Sequence, residues 1–164
     1  MQGVTFDSRE LRDVLGCFAT GVCVVTCCTA AGTPHGVTIN SFASVSLDPP
    51  LVLFSLDRAN TSLGQFHAGE HFAINVLSRQ QQPLSRRFAA VGGDRWEGLA
   101  FETWGTGCPI FPESLAVLEC EAYAHHEAGD HMLFLGRVLR LHRLHEGEPL
   151  LFFRGAYREL RPND

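Results

Sequence analysis

Short hydrogen-bonding side chains recur at close spacing in residues 36–56, which read GVTINSFASVSLDPPLVLFSL. They interleave with apolar residues and are Thr38, Asn40, Ser41, Ser44 and Ser46. Because alternate residues of a strand share a face, this pattern predicts a strand with one polar face. Such a face either meets solvent on an edge strand or leaves room for a flat polar ligand.

A second polar group precedes a predicted short helix over Leu63 to Ala68. Asn60, Thr61 and Ser62 can each cap this helix. Arg58 lies nearby in the chain. The free N–H groups and partial positive charge of a helix start favour a bound phosphate. The same residues also suit an ordinary cap without a ligand.

Histidines near two predicted long strands raise the question of a metal site. His125 and His126 are adjacent, so on a strand they point to opposite faces and do not easily share an ion. Cys120 and His131 supply no second pair with metal-ligand spacing, so no metal is expected. His131 follows Asp130 at a predicted strand start, where an imidazole is a functional group or an ordinary capping or core residue.

Composition limits the classes of function. The 164 residues, 45% of them hydrophobic, are expected to form one domain over residues 1–164. The net charge is −5, all 13 basic residues are arginine, and no basic stripe occurs, so no nucleic-acid partner is expected. No apolar run approaches the ~20 residues of a membrane helix, and the first residues are unlike a signal peptide. A soluble, cytoplasmic protein is expected.

The elements that position these side chains are predicted to be mainly strands. An amphipathic helix is expected over residues 8–19, with an apolar face at Leu11, Val14, Leu15 and Phe18. Strands are expected over residues 21–29, 35–46, 51–56, 71–77, 114–124, 131–144 and 149–153, with a rigid turn at 48–50. A helix is expected over 80–91 and a long irregular loop over 91–112. This pattern favours a closed or nearly closed β-barrel with a few short flanking helices.

Cysteines are expected to be reduced and structural. None of the six forms a CxxC pair, and Cys23 and Cys27 lie in an apolar, β-branched run where cysteine serves as a small hydrophobic residue.

The sequence GVTINSFASVSLDPPLV, residues 36–52, resembles the central signature of the short-chain flavin reductases, the reductase components of two-component flavin-dependent monooxygenases. The resemblance covers nearly the whole chain, from FATGVCVVT near Phe18 to RGAY ending at Tyr157. It implies a mainly β, Greek-key-like FMN-binding split barrel and a homodimer. It also implies hydride transfer from NADH or NADPH to FMN or FAD, with delivery of reduced flavin to a partner monooxygenase.

The resemblance also implies site residues by matching position. Flavin contacts are implied at Pro34, His35, Gly36, Val37, Thr38, Asn40, Ser41, Ser55, Leu56, Asp57, Thr61, Ser62, Arg87 and Phe88. His131, in a Gly-Asp-His element, is implied to be the catalytic residue beside the reacting edge of the flavin. Contacts to the nicotinamide nucleotide are implied at His131, Phe153, Arg154, Gly155 and Tyr157. Trp96 departs from the pattern, since relatives often carry Phe there.

Several alternatives stay open at this point. Related split barrels also serve as FMN- or haem-binding carriers or sensors without turnover. A third alternative, flavin-dependent oxidation of an organic substrate by this chain itself, is a weaker hypothesis, because the pocket must already admit the nicotinamide. No Gly-rich dinucleotide loop or GxSxG elbow occurs, and no residue can be assigned to the ribose 2′ position, so NADH and NADPH are not distinguished. Phosphate features favour FMN over FAD, and the flavin is either tightly bound or a diffusing substrate.

Overall fold

Antiparallel strands dominate the computed structural model, which describes residues 5–161. The strands are β1 (Thr20–Gly21), β2 (Cys23–Cys28), β3 (Pro34–Ile39), β4 (Ala43–Leu47), β5 (Pro50–Asp57), β6 (His71–Val76), β7 (Glu102–Thr103), β8 (Pro109–Ile110), β9 (Ala116–Ala128), β10 (His131–Arg143), β11 (Leu151–Phe153) and β12 (Ala156–Arg158). The helices are α1 (Ser8–Leu15), α2 (Leu63–Ala68) and α3 (Gln82–Ala89), and a 3-10 turn at Arg79–Gln81 precedes α3. The mainly β prediction is confirmed.

The main sheet has seven strands in the order β3-β2-β6-β9-β10-β5-β4. Its end strands, β3 and β4, are joined by residues 40–42 alone, so the sheet must curl until its two ends meet. The Ser41 hydroxyl bridges the ends, because it accepts from the Ser55 N–H and donates to the Ser55 carbonyl, both at 3.0 Å. Since β3 pairs only with β2 among the strands within residues 5–161, the barrel is split between β3 and β5. The predicted split barrel is confirmed.

Aromatic rings fill the barrel. Phe54 stacks on Phe134 with centroids 5.0 Å apart and meets Phe72 edge-on at 5.1 Å. A second buried cluster, which includes Val22, Val24, Phe88 and Phe111, covers the outer face of β2. Strand β2 is therefore buried on both faces, which explains its unbroken CVVTC run. Two of its three cysteines, Cys23 and Cys27, are buried free thiols as predicted.

Helix α1 is shorter than predicted and is exposed along its whole length. It ends at Leu15, with Asp7 and Glu10 forming a capping box at its start. No residue of α1 is buried, and the side chains of its apolar face are 41–70% exposed at Leu11, Val14 and Leu15.

The last third of the chain contains more strand than the sequence predicts. Strands β9 and β10 are joined by Gly129 and Asp130 alone, so the expected six-residue connection is wrong. Strand β12 was not predicted; it pairs with β11 across a two-residue turn, and β11 also pairs with β1. Both turn residues, Arg154 and Gly155, have positive φ (49° and 75°), as a type I′ hairpin requires. The loop over 91–112 contains the short pair β7 and β8.

Within residues 5–161, no helix is both long enough and apolar enough to cross a membrane.

Candidate functional site

A cavity opens at the split in the barrel, between the start of β3 and the segment that follows β5. Its volume is about 230 Å³, and its lining is Pro34, His35, Gly36, Thr61, Ser62, Gly93, Asp94, Arg95 and Trp96. Strand β3 has no second strand partner in the described part of the chain, so its outer edge offers free backbone donors and acceptors. Five of the residues implied as flavin contacts therefore line one cavity.

The backbone of β3 is held close to two aromatic rings at Gly36. A Cβ added there would lie 2.6 Å from Cε1 of Phe88 and 3.2 Å from Cζ2 of Trp96, so only glycine allows this approach. The two rings meet edge-on with centroids 4.9 Å apart. Because Phe88 is 1% exposed, its ring supports β3 from behind and presents no free face to a ligand.

The segment between β5 and α2 is shaped by its own side chains. Asp57 accepts a hydrogen bond from the Ala59 N–H at 2.7 Å, and Asn60 accepts one from the Ser62 N–H at 2.9 Å. Ser62 makes no side-chain capping bond to α2, so the expected hydroxyl cap at this position is not formed. Its side chain is buried and borders the cavity. The Ser62 hydroxyl is thus available to a ligand.

The cation in this cavity is Arg95, which the sequence did not single out. Its Nη1 donates to the Gly36 carbonyl at 3.3 Å. Burial and the Arg95 charge lower the pKa of His35, so this imidazole is neutral at neutral pH. Arg87, the arginine implied by the resemblance, instead donates to the Glu97 carbonyl. The only sequence signal for Arg95 was its place in the Asp-Arg-Trp-Glu-Gly element, inside a loop without periodicity.

A smaller cavity of about 170 Å³ lies at the other end of β3. Thr38, Asn40, Ser85 and Tyr157 are among its lining residues. The Thr38 hydroxyl donates to the Ser85 carbonyl at 2.6 Å, and the Ser85 and Tyr157 hydroxyls are hydrogen-bonded at 2.8 Å. Tyr157, implied to contact the nicotinamide nucleotide, is therefore brought beside implied flavin residues.

His131 starts β10 directly opposite Asp57 of β5. The next pair, Met132 and Leu56, is buried, so His131 and Asp57 share the outer face of the barrel. Nδ1 of His131 lies 2.7 Å from a carboxylate oxygen of Asp130, and this hydrogen bond and the imidazole charge lower the pKa of Asp130. With Nδ1 engaged, Nε2 is the nitrogen that can meet a ligand.

Arg154 and Gly155 lie in a different place from the other implied nicotinamide residues. They line a cavity of about 480 Å³ with Cys17 and the end of α1. The Arg154 N–H donates to the Gly16 carbonyl at 2.9 Å, and its guanidinium lies 5.1 Å from the ring centroid of Phe153. Among the described residues, the lining of this cavity includes neither His131 nor Tyr157.

Within residues 5–161, no group of three or more His, Cys, Asp or Glu side chains is arranged to hold a metal ion. His125, one of the histidines weighed as a ligand, packs its ring against His67 with centroids 4.1 Å apart.

Comparison with known proteins gives a consistent result. Residues 15–161 match the model of the flavin reductase like domain. The chain is 48% identical over 152 residues to FMN reductase (NADH) SmoA of Agrobacterium fabrum, covering 92% of this chain and 85% of that protein. It is 38% identical over 157 residues to the flavin-dependent monooxygenase reductase subunit HsaB of Rhodococcus jostii, covering 96% of this chain and 80% of the relative.

A solved structure extends the similarity to three dimensions. The NADH:FAD oxidoreductase SgcE6 of Streptomyces globisporus C-1027, in complex with NAD and FAD fragments, is 37% identical and superimposes with a TM-score of 0.90. The match covers 96% of this chain and 94% of that one. On the domain match, the identities and this shared fold, the chain belongs to the flavin reductase like domain family.

Proposed function

We propose that this flavin reductase uses NADH to reduce FMN, and that residues 1–164 form one catalytic domain. The observation that carries the proposal is the cavity at the barrel split, where β3, Thr61, Ser62 and an arginine come together. The use of NADH is supported by the names of the relatives SmoA and SgcE6, and FMN by SmoA. SgcE6 is named for FAD, which is the second flavin to test.

The residues at the split fit a bound flavin. The free edge of β3 supplies backbone donors and acceptors for the polar edge of the ring, and Ser62 adds a hydroxyl that no cap uses. When bound, the flavin accepts a hydride from the reduced nicotinamide. The protein orients the flavin and the nicotinamide and excludes water from them. The groove at the split and β3, which is supported by two aromatic rings, provide this environment.

His131 is proposed to orient the nicotinamide. It lies on the outer face of the barrel beside Asp57. Because Asp130 engages Nδ1 of His131, Nε2 is the nitrogen that can hydrogen-bond the nicotinamide. No general base is required, because the hydride is already present on the donor. The catalytic assignment of His131 therefore predicts an effect on nicotinamide use and not on flavin binding.

A flavin-dependent monooxygenase is the partner that receives the reduced flavin, as for HsaB, a reductase subunit of such an enzyme. We propose in addition that the chain forms a homodimer. The apolar side chains of α1 and Phe18 are exposed in the single chain, and a second copy would cover them. A cytoplasmic location is proposed from the six free thiols.

The test is loss of NADH absorbance at about 340 nm by the purified protein with FMN, FAD or riboflavin, repeated with NADPH. Rapid flavin-dependent oxidation of NADH supports the reductase and ranks both substrates. A protein that binds flavin but oxidises neither nucleotide would instead be a carrier or sensor on the same barrel.

A further inference from the structure

We propose that Arg95 is the cation that binds the phosphate of the flavin and makes the protein prefer phosphorylated flavins to riboflavin. This inference rests on the proposed function for the position of the flavin along β3. It assigns a specificity-determining role to a residue of the irregular loop between α3 and β7.

Arg95 lies in a cavity that three segments of the chain enclose. The cavity of about 230 Å³ is bounded by the start of β3, by Thr61 and Ser62, and by the loop that carries Arg95. One guanidinium N–H bonds the Gly36 carbonyl, which fixes the side chain and leaves other donors of the fork free. A half-buried guanidinium beside a buried hydroxyl is a donor set suited to phosphate oxygens.

The charge of Arg95 is not neutralised by a nearby carboxylate. Within residues 5–161, no Asp or Glu oxygen lies within 4.0 Å of its nitrogens, whereas five other arginines form such pairs. Asp94 also lines the cavity, but one of its oxygens accepts from the backbone N–H groups of Trp96 and Glu97 at 2.8 and 3.2 Å. That oxygen shapes the turn, and no oxygen of Asp94 pairs with Arg95 within 4.0 Å.

Other cations near the split are less suited. Arg87, in α3, donates to the Glu97 carbonyl and does not line the cavity. Arg58 pairs with Glu127 at 3.4 Å and its side chain is about half exposed. His35 lines the cavity, and the lowered pKa of this imidazole keeps it neutral beside Arg95. Arg95 is thus the positive charge of this cavity among the described residues.

The decisive comparison is between two flavins that differ by one phosphate. Dissociation constants of FMN and riboflavin are measured by fluorescence titration for the wild type, Arg95→Gln and Arg143→Gln. Arg143 is an exposed control at the far end of β10. Arg95→Gln is expected to raise the Kd of FMN about 10- to 100-fold, as for loss of a charge-assisted bond, and to change that of riboflavin less than about twofold. Arg143→Gln changes neither.

Equal weakening of both flavins by Arg95→Gln would overturn the proposal, because Arg95 would then only hold Gly36 and the loop in place. An unchanged Kd for FMN would overturn it as well. Failure of the wild type to bind any flavin would instead refute the proposed function.

A second measurement needs no folded variant. Inorganic phosphate, compared with chloride at equal ionic strength, is expected to weaken FMN binding to the wild type and to leave riboflavin binding unchanged. Phosphate that competes with neither flavin, or with both alike, contradicts a phosphate subsite at Arg95.

Discussion

At the scale of single residues, the proposed role of His131 is to orient the nicotinamide. His131→Asn removes the imidazole while keeping a short polar side chain, and it is expected to lower kcat/KM for NADH by about tenfold or more, the value of one hydrogen bond to a charged or polarised group. The Kd of FMN is expected to stay within about twofold, because His131 lies across β5 from the cavity at the split. Stopped-flow kinetics and flavin titration measure the two effects.

The matched control for His131 is His142→Asn, an exposed histidine further along the same strand, which packs its ring edge-on against Trp104. This control should leave both constants unchanged. Loss of flavin binding in His131→Asn with unaltered use of NADH would contradict the assignment.

His35 makes stability depend on pH. Burial and Arg95 lower the pKa of His35 in the folded protein below 6.5, the ordinary value. Above that value both folded and unfolded chains hold a neutral imidazole. As the pH falls below it, the unfolded chain takes up the proton first, so the free energy of unfolding decreases until the folded pKa is reached.

His35→Gln removes this contribution. Urea unfolding at about pH 7.5 and about pH 5.5 is expected to show a larger loss of stability in the wild type than in the variant. The prediction fails if the variant loses as much stability as the wild type, or more.

At the scale of elements, the packing of β3 against α3 and the loop after it fixes the wall of the split. Gly36→Ala forces a methyl group into Phe88 and Trp96 and is expected to cost about 1–3 kcal/mol of unfolding free energy and to weaken FMN binding, because β3 must move. Gly64→Ala is the control, since a Cβ at this α2 position meets nothing within 4 Å. Chemical denaturation measures the change in stability, and flavin titration measures the change in FMN binding. Equal stability of both variants would show that close packing against Phe88 and Trp96 does not hold β3 in place.

The strands around the split were only partly predictable from local pattern, and the contacts across it were not. Alternation predicted a single strand over residues 35–46, which is wrong, because the structure has two strands there, β3 and β4, separated by residues 40–42. The prolines after Asp48 and the apolar run that follows them correctly predicted β5. Nothing local shows that Ser41 returns to Ser55 to close the barrel. Arg95 lies 59 residues from Gly36 in a loop without periodicity, so only the folded chain brings them together. Strand β12 was missed because it has three residues and follows Arg154, a non-glycine residue at positive φ.

Helix α1 shows a different case, in which the pattern is correct but does not identify what covers the apolar face. The spacing of Leu11, Val14 and Leu15 did mark one helical face, yet no element of the described chain covers it. Amphipathicity shows that a face is apolar, but it does not show whether the same chain or another one covers it.

At the scale of the whole molecule, this exposed face predicts self-association. Leu15→Glu places a charge on the proposed interface and is expected to convert the homodimer to a monomer of 18.1 kDa. Light scattering after size-exclusion chromatography measures the mass. Val91→Glu, at a 93% exposed residue just after α3, is the control and should remain dimeric. A monomeric wild type, or a dimeric Leu15→Glu variant, would contradict the proposed interface.

Hydride transfer from NADH to flavin by this chain can be followed directly by anaerobic mixing of the protein with FMN and NADH. The absorbances of oxidised flavin at about 450 nm and of NADH at about 340 nm are followed together. Both absorbances are expected to fall together, with one NADH consumed per FMN reduced, and faster than without protein. Flavin that stays oxidised in the presence of protein and excess NADH would contradict it.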